Sequence, residues 1–144
     1  MRQIVIISAL TAVLAASGCG APSGGTTPAE TGKVWRLNTV DNLPFNGGEI
    51  TMSLSRDGKQ ISGQGPCSAF SGDIVNKHYP AVRIVNIQSS NTTCGLSAKE
   101  HDFLQALGAV TGEIARDDII VFSSTSGRRL EFVPAAGQSL PVSG

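Results

Sequence analysis

Three cysteines, two histidines and one adjacent pair of aspartates are the residues in this sequence of 144 that could carry reactive or metal-binding chemistry. Cys67 sits in a glycine-flanked stretch, Gly63 to Gly72, which reads Gly-Gln-Gly-Pro-Cys-Ser-Ala-Phe-Ser-Gly, and Cys94 closes Asn91-Thr92-Thr93-Cys94. A nucleophilic cysteine needs a neighbouring base and a lowered pKa. The two histidines, His78 and His101, fall in an expected turn and on the polar side of an expected helix, so no catalytic residue is assigned. No metal site and no cofactor are expected either, because the cysteines and histidines lack the close C-x-x-C or H-x-x-x-H spacing that brings ligands together. Asp117-Asp118 reads as a solvated turn, and Arg128-Arg129 as a solvated edge. The glycine pairs near residues 47 and 63 precede no helix, which the phosphate-cradling motif requires.

The third cysteine, Cys19, belongs to a different context. Met1-Arg2-Gln3 supplies one positive charge, Ile4 to Leu14 is a mostly apolar run, and small residues lead into Cys19, the pattern of an export signal over residues 1–18. The run is shorter than the ~20 residues that cross a bilayer. Leu14 to Cys19 resembles a bacterial lipobox, which implies lipidation of Cys19 and a chain tethered to a membrane by its acylated N-terminus, with the domain in water. Gly20 follows the cysteine in place of the aspartate associated with inner-membrane retention, so the expected location is the outer membrane, facing the periplasm. Residues 19–31 are small and polar apart from the alanines and prolines, and they read as a flexible linker with a span on the order of 20 Å. Lys plus Arg and Asp plus Glu balance at 11 each, which leaves no basic field for nucleic acid.

Export makes an oxidising compartment, and there Cys67 and Cys94 can pair as a disulfide. Such a bond closes a loop of about 28 residues and contributes about 3.5 kcal/mol on the chain-entropy model. Two small buried thiols, one on each side of the core, are the alternative.

The elements that position these residues are short strands and one helix. Val34 to Val40 is rich in strand formers, with Trp35, Leu37 and Thr39 on one face. Glu49 to Arg56 alternates so that Ile50, Met52 and Leu54 point inward, and Asp57-Gly58 before Lys59 to Gly63 predicts a hairpin with a type I' turn. Asp73 to Lys77, Ala81 to Ile87, Gly112 to Arg116, Ile119 to Ser124 and Arg128 to Val133 complete the strands. Ser97-Ala98-Lys99-Glu100 fits a capping box, in which the Ser97 hydroxyl takes the Glu100 N–H and the Glu100 carboxylate reaches back. Phe103, Leu104, Leu107 and Val110 follow at helical spacing. The tail, residues 135–144, lacks periodicity.

Trp35 with Leu37, Gly65 to Gly72, Thr93-Cys94, Glu100 with Phe103-Leu104 and Ala106-Leu107, and the closing Leu130-Glu131-Phe132 together resemble the META domain, also called HslJ-like, over residues 32–134. Ser68 stands where that family usually has asparagine. The resemblance implies an α+β fold, a small and mostly antiparallel barrel-like sheet with one helix packed against it. It implies no catalytic set, and its members are envelope proteins loosely associated with stress tolerance, antibiotic sensitivity or secretion. The expected function is therefore a non-enzymatic envelope lipoprotein that binds or stabilises an envelope protein or component. A carrier of a lipid or small hydrophobic ligand is the alternative, with Trp35, Phe70 and Phe103, beside Met52 and Phe132, as candidate binding residues around a barrel slot. Aromatic residues at such periodic positions more often form core.

Overall fold

The computed structural model describes residues 32–90 and 92–135, the side chains of residues 76 and 77 excepted. The export signal, Cys19, the linker and residues 136–144 lie outside the described residues. Among the described residues no helix is long and apolar enough to cross a membrane.

Period-two alternation builds most of the structure. Strand β1 (Val34–Val40) buries Trp35 and Leu37, and β3 (Thr51–Leu54) buries Met52 and Leu54, with Ile50 buried just ahead of it. A two-residue strand, β2 (Leu43–Pro44), folds back on the end of β1 across Asp41 and Asn42, both at positive φ. Asn and Asp tolerate that left-handed geometry better than other side chains. A tight two-residue turn with both residues at positive φ thus forms here, in a stretch that reads in sequence only as a loop.

The Asp57-Gly58 hairpin forms, but with a different turn. Leu54 pairs with Ile61 across β3 and β4 (Gln60–Gln64), the register that a two-residue turn would also give. Only Gly58 has positive φ. Asp57 stays on the right-handed side because its Oδ1 accepts the Ser55 hydroxyl at 2.5 Å and the Lys59 N–H at 3.1 Å, and Gly58 N donates to Ser55 O at 2.9 Å. The Ser55 hydroxyl first, then the Lys59 N–H, hold the Asp57 carboxyl below its usual range.

Strand β5 (Ala69–His78) is longer than the short segment expected, because its first residues continue the ladder with β4, Phe70 opposite Gly63 and Ala69 opposite Gln64. It pairs with β6 (Ala81–Ser89); helix α1 (Ser97–Gly108) follows, then β7 (Val110–Arg116), β8 (Ile119–Ser124) and β9 (Arg129–Pro134). Neighbouring strands are antiparallel throughout, and β9 returns to pair with β1, Leu37 opposite Phe132, which closes the sheet into a ring. The α+β architecture is therefore a closed antiparallel sheet with a single helix among the described residues. The ring is thinnest between β6 and β7, joined by one residue pair, Ala81 with Gly112. Helix α1 lies between β6 and β7 in the chain and packs on β6 and β9.

One detail of β1 departs from simple alternation. The register with β9 slips between Leu37 and Thr39, so Val40, opposite Leu130, packs against the core in the place expected for Thr39. The displaced Asn38 donates its side-chain amide to Glu131 Oε1 at 2.8 Å. A β-bulge of this kind reverses the side-chain faces beyond it.

The core is assembled across strands. Trp35, Met52, Gly63 and Phe70 are successive partners over β1, β3, β4 and β5. Gly63 is where the Phe70 ring goes: a Cβ there would overlap Phe70 Cζ and the Thr51 carbonyl oxygen. Phe70, Phe103, Phe132 and Phe122 then run edge to face through the interior, with successive centroids 5.5, 6.3 and 5.8 Å apart. Arg128, in the β8–β9 turn, ties helix to sheet. Its guanidinium donates to both Asp102 carboxylate oxygens, at 3.3 and 3.0 Å, and its Nε approaches Asp41 Oδ2 at 2.9 Å as an ion pair without hydrogen-bond alignment. The Arg128 bond lowers the Asp102 carboxyl pKa and raises that of the guanidinium. The turn aspartates take part in a similar way: Asp118 accepts Lys33 Nζ at 3.0 Å, while the Lys33 ammonium stands 4.6 Å from the centroid of the Trp35 ring. Arg128 and Asp118 are tertiary ties here, where the sequence reads both as solvated.

Candidate functional site

The two cysteine segments meet at the start of α1. Beyond β4 the chain turns tightly through Gly65-Pro66-Cys67-Ser68, with Gly65 N donating to Ser68 O at 2.8 Å, before β5 begins. Beyond β6, Ser90 receives the Ala69 N–H on its hydroxyl at 3.1 Å and returns its own N–H to Ala69 O at 3.0 Å, which brings the second segment alongside the first. Cys67 and Cys94 are disulfide-bonded, with their Cα atoms 5.5 Å apart. Both sulfurs are thereby engaged, and neither is available as a thiolate.

Glu100 occupies the centre of this arrangement. It is 2% exposed, and its Oε2 accepts the N–H groups of Cys67 at 2.8 Å and Ser68 at 3.3 Å. Its carboxylate thus holds the cysteine loop, 33 residues away, and not the N-terminus of its own helix. The capping box is corrected accordingly: the cap position is Leu96, with no side-chain cap bond, and Glu100 N donates to Leu96 O. The Ser97 hydroxyl serves the second cysteine. Its Oγ accepts the Cys94 N–H at 2.8 Å and stands 2.8 Å from Cys94 O and 3.6 Å from Cys67 Sγ. Gly65 makes the approach of Glu100 possible, because a Cβ there would lie 2.8 Å from the carboxyl carbon.

The other carboxylate oxygen, Oε1, is buried and accepts no hydrogen bond from the described residues. An unsatisfied buried acceptor costs about 1–3 kcal/mol, and more when it is charged. Glu100 also lines a cleft of about 460 Å³ between Cys67 and Ser68, the residues Ser89, Thr92 and Thr93, and the first turns of α1. Its walls carry the hydroxyl residues Ser68, Ser89, Thr92, Thr93 and Ser97, with Leu104 and Ala98 as apolar surface and His101 at the rim. His101 is exposed and lies 3.0 Å, Nε2 to Nε2, from Gln105.

The candidate binding aromatics are elsewhere. Trp35, Phe70 and Phe103 are all buried in the core with Met52 and Phe132. Two larger clefts, of about 680 and 730 Å³, lie on the outer face of β3 to β6 and beside the Asp57 turn, and no aromatic residue lines either. Among the described residues no three His, Cys, Asp or Glu side chains gather as a metal site.

Sequence reasoning missed Glu100 as the site's carboxylate. The signal was present: Glu100, Phe103 and Leu107 share the spacing of one inward helix face, so an acid stood on the apolar stripe and needed a buried partner.

The family model of the META domain matches residues 28–137, three quarters of the chain. This chain belongs to the META domain family. No curated protein sequence matches it. Among solved structures, the META fold here is similar to the NMR structure of a protein from Burkholderia xenovorans, at 18% identity and a TM-score of 0.58, over 81% of this chain and 98% of that one. A second protein solved by NMR matches at 16% identity and a TM-score of 0.56, over 74% of this chain and 92% of that one. Identities this low speak to the fold alone.

Proposed function

We propose that this META protein is a non-enzymatic binding module of the cell envelope, lipid-anchored through Cys19 at the outer membrane, that holds or stabilises an envelope component under stress. The observation that carries the reading is the Cys67–Cys94 bond, which staples the loop flanking an open polar cleft and suits an oxidising compartment. The lipobox-like Leu14 to Cys19 and the spacer behind it supply a route to that compartment. The interior, filled by Trp35, Phe70, Phe103 and Phe132, favours binding at the surface over carriage inside the ring.

Two measurements test it. Intact mass of the protein from its native membrane is expected to match a chain beginning at acylated Cys19, with two alkylation sites appearing only after reduction. A photo-crosslinker at Thr93, on the cleft wall, is expected to capture an envelope component in living cells that the same group at Lys59, beside the distant β3–β4 turn, does not. A non-acylated chain, or equal capture from both positions, defeats the proposal.

A further inference from the structure

We propose that the cleft over the Cys67–Cys94 staple binds an alkylammonium group, with Glu100 as its acceptor. This names a ligand chemistry for the binding module proposed above and rests on that reading, though not on the lipid anchor.

The argument begins with the unmatched atom. Oε2 of Glu100 is occupied by two backbone N–H groups, while Oε1 is the buried carboxylate oxygen without a donor among the described residues. Among the described residues no lysine or arginine lines the adjoining cleft, and none of them brings a cation to that oxygen there. The site therefore calls for a donor from outside. An anion is disfavoured: Glu100 already stands in the first turn of α1 and supplies the negative charge that a helix N-terminus attracts. A cationic donor gains a charge-assisted bond. An ammonium carries three N–H bonds and no acceptor, so it can meet Oε1 and still donate to the hydroxyl oxygens of Thr92 or Ser68 on the walls. Leu104 and Ala98 offer apolar surface along which an alkyl stem can lie.

The dimensions agree. At about 460 Å³ the cleft falls within the ~300–1,000 Å³ range of small-molecule sites. The carboxylate is also pre-positioned, held by two N–H groups and backed by Gly65, so binding has little ordering of the acceptor to overcome. Oε1 is covered in this structure, so binding requires side chains around it to move aside, and exposed side chains change rotamer on the ps–ns timescale.

Two sources share this chemistry, a free polyamine and the side chain of a lysine-type residue in a peptide. The test is a backbone-amide NMR titration of the full exported chain in detergent. The probes are spermidine and Nα-acetyl-lysine amide, with Nα-acetyl-glutamate amide as the anionic control. Both ammonium probes are expected to shift Cys67, Ser68, Ser97 and His101, and the control to leave them still. A response to the lysine probe alone would assign the site to peptides, and comparable responses to both would assign it to the ammonium group itself.

Glu100→Gln keeps the shape and one acceptor for the loop, and it is expected to weaken binding roughly tenfold or more. His101→Lys and His101→Glu, at the exposed rim, keep the test decisive should the Glu100 variant not fold, with weaker and tighter binding expected respectively. The proposal is overturned if neither ammonium probe shifts these four amides, if the glutamate probe shifts them equally, or if the folded Glu100→Gln chain binds like wild type. Failure here leaves crosslinking from Thr93 as a separate outcome, so the two proposals fall independently.

Discussion

Replacing Glu100 with alanine separates the observed role of this carboxylate from the helix cap that its sequence context suggests. In the structure Oε2 holds the Cys67 and Ser68 N–H groups, and hydrogen bonds to a charged group contribute about 1.5–3 kcal/mol each. The Ser68 bond is the longer of the two at 3.3 Å, and the carboxylate carries the offsetting cost of burying Oε1 unpaired. Taking one bond at full strength, one at about half and subtracting roughly 1 kcal/mol for the orphan oxygen leaves a loss of about 1–3.5 kcal/mol, centred near 2. With a urea m-value of about 1–1.5 kcal/mol/M for a domain of this size, the unfolding midpoint should fall by roughly 2 M. Equilibrium urea unfolding with the disulfide intact reads this directly. Hydrogen exchange then locates the effect: protection is expected to collapse at the Cys67 and Ser68 amides while the first helical turn changes little. A helix-capping carboxylate would do the reverse, with a loss of about 1 kcal/mol and exchange rising at the start of α1. That pattern, or a midpoint within 0.3 M of wild type, refutes the assignment.

Reduction of Cys67–Cys94 should lower stability by about 3–4 kcal/mol in urea unfolding with and without reductant, because the bond closes a loop of 27 residues' separation; a change under 1 kcal/mol would count against the staple. Gly63→Ala places a methyl group against the Phe70 ring and the Thr51 carbonyl, and thermal melting should show a loss of about 1–3 kcal/mol that Phe70→Leu in the same chain partly restores; additive losses would refute the packing account. The Asp102 carboxyl has its pKa lowered chiefly by the Arg128 hydrogen bond, so the unfolded chain binds its proton more readily than the folded one. Its contribution is full above the unfolded pKa near 4 and is lost as pH falls through the lower folded value; since the pair is largely exposed, Asp102→Asn should cost under about 1 kcal/mol at pH 7 and nothing once both forms are protonated. Equal costs at pH 7 and pH 2.5 would show that the pair acts by packing and not by charge.

Much of this META fold was legible in the chain. Alternation placed Trp35, Leu37, Ile50, Met52 and Leu54 inward, and the change of period after Cys94 located α1. Less of the candidate site was legible. The two cysteines marked its place, but Glu100 was read against its nearest neighbours, where the capping pattern is sound chemistry for an isolated helix. The fold offered that carboxylate a different pair of donors. Thr39 and Val40 tell a similar story, since a bulge is settled by how β1 matches β9 and not by β1 alone.

By itself, then, the sequence determined most strand faces, the helix and the places where the chain turns, and it left the two cysteines as candidates for pairing, because period, turn chemistry and thiol count are local or compositional properties. The tertiary structure alone decided that β9 returns to β1, that Gly63 is the space for Phe70, that Arg128 bridges Asp41 and Asp102, and that Glu100 faces the cysteine loop with one oxygen unmatched. These last are relations between segments far apart in the chain, and a buried polar group or a void has a partner only once closure of the ring has brought that partner within bonding distance.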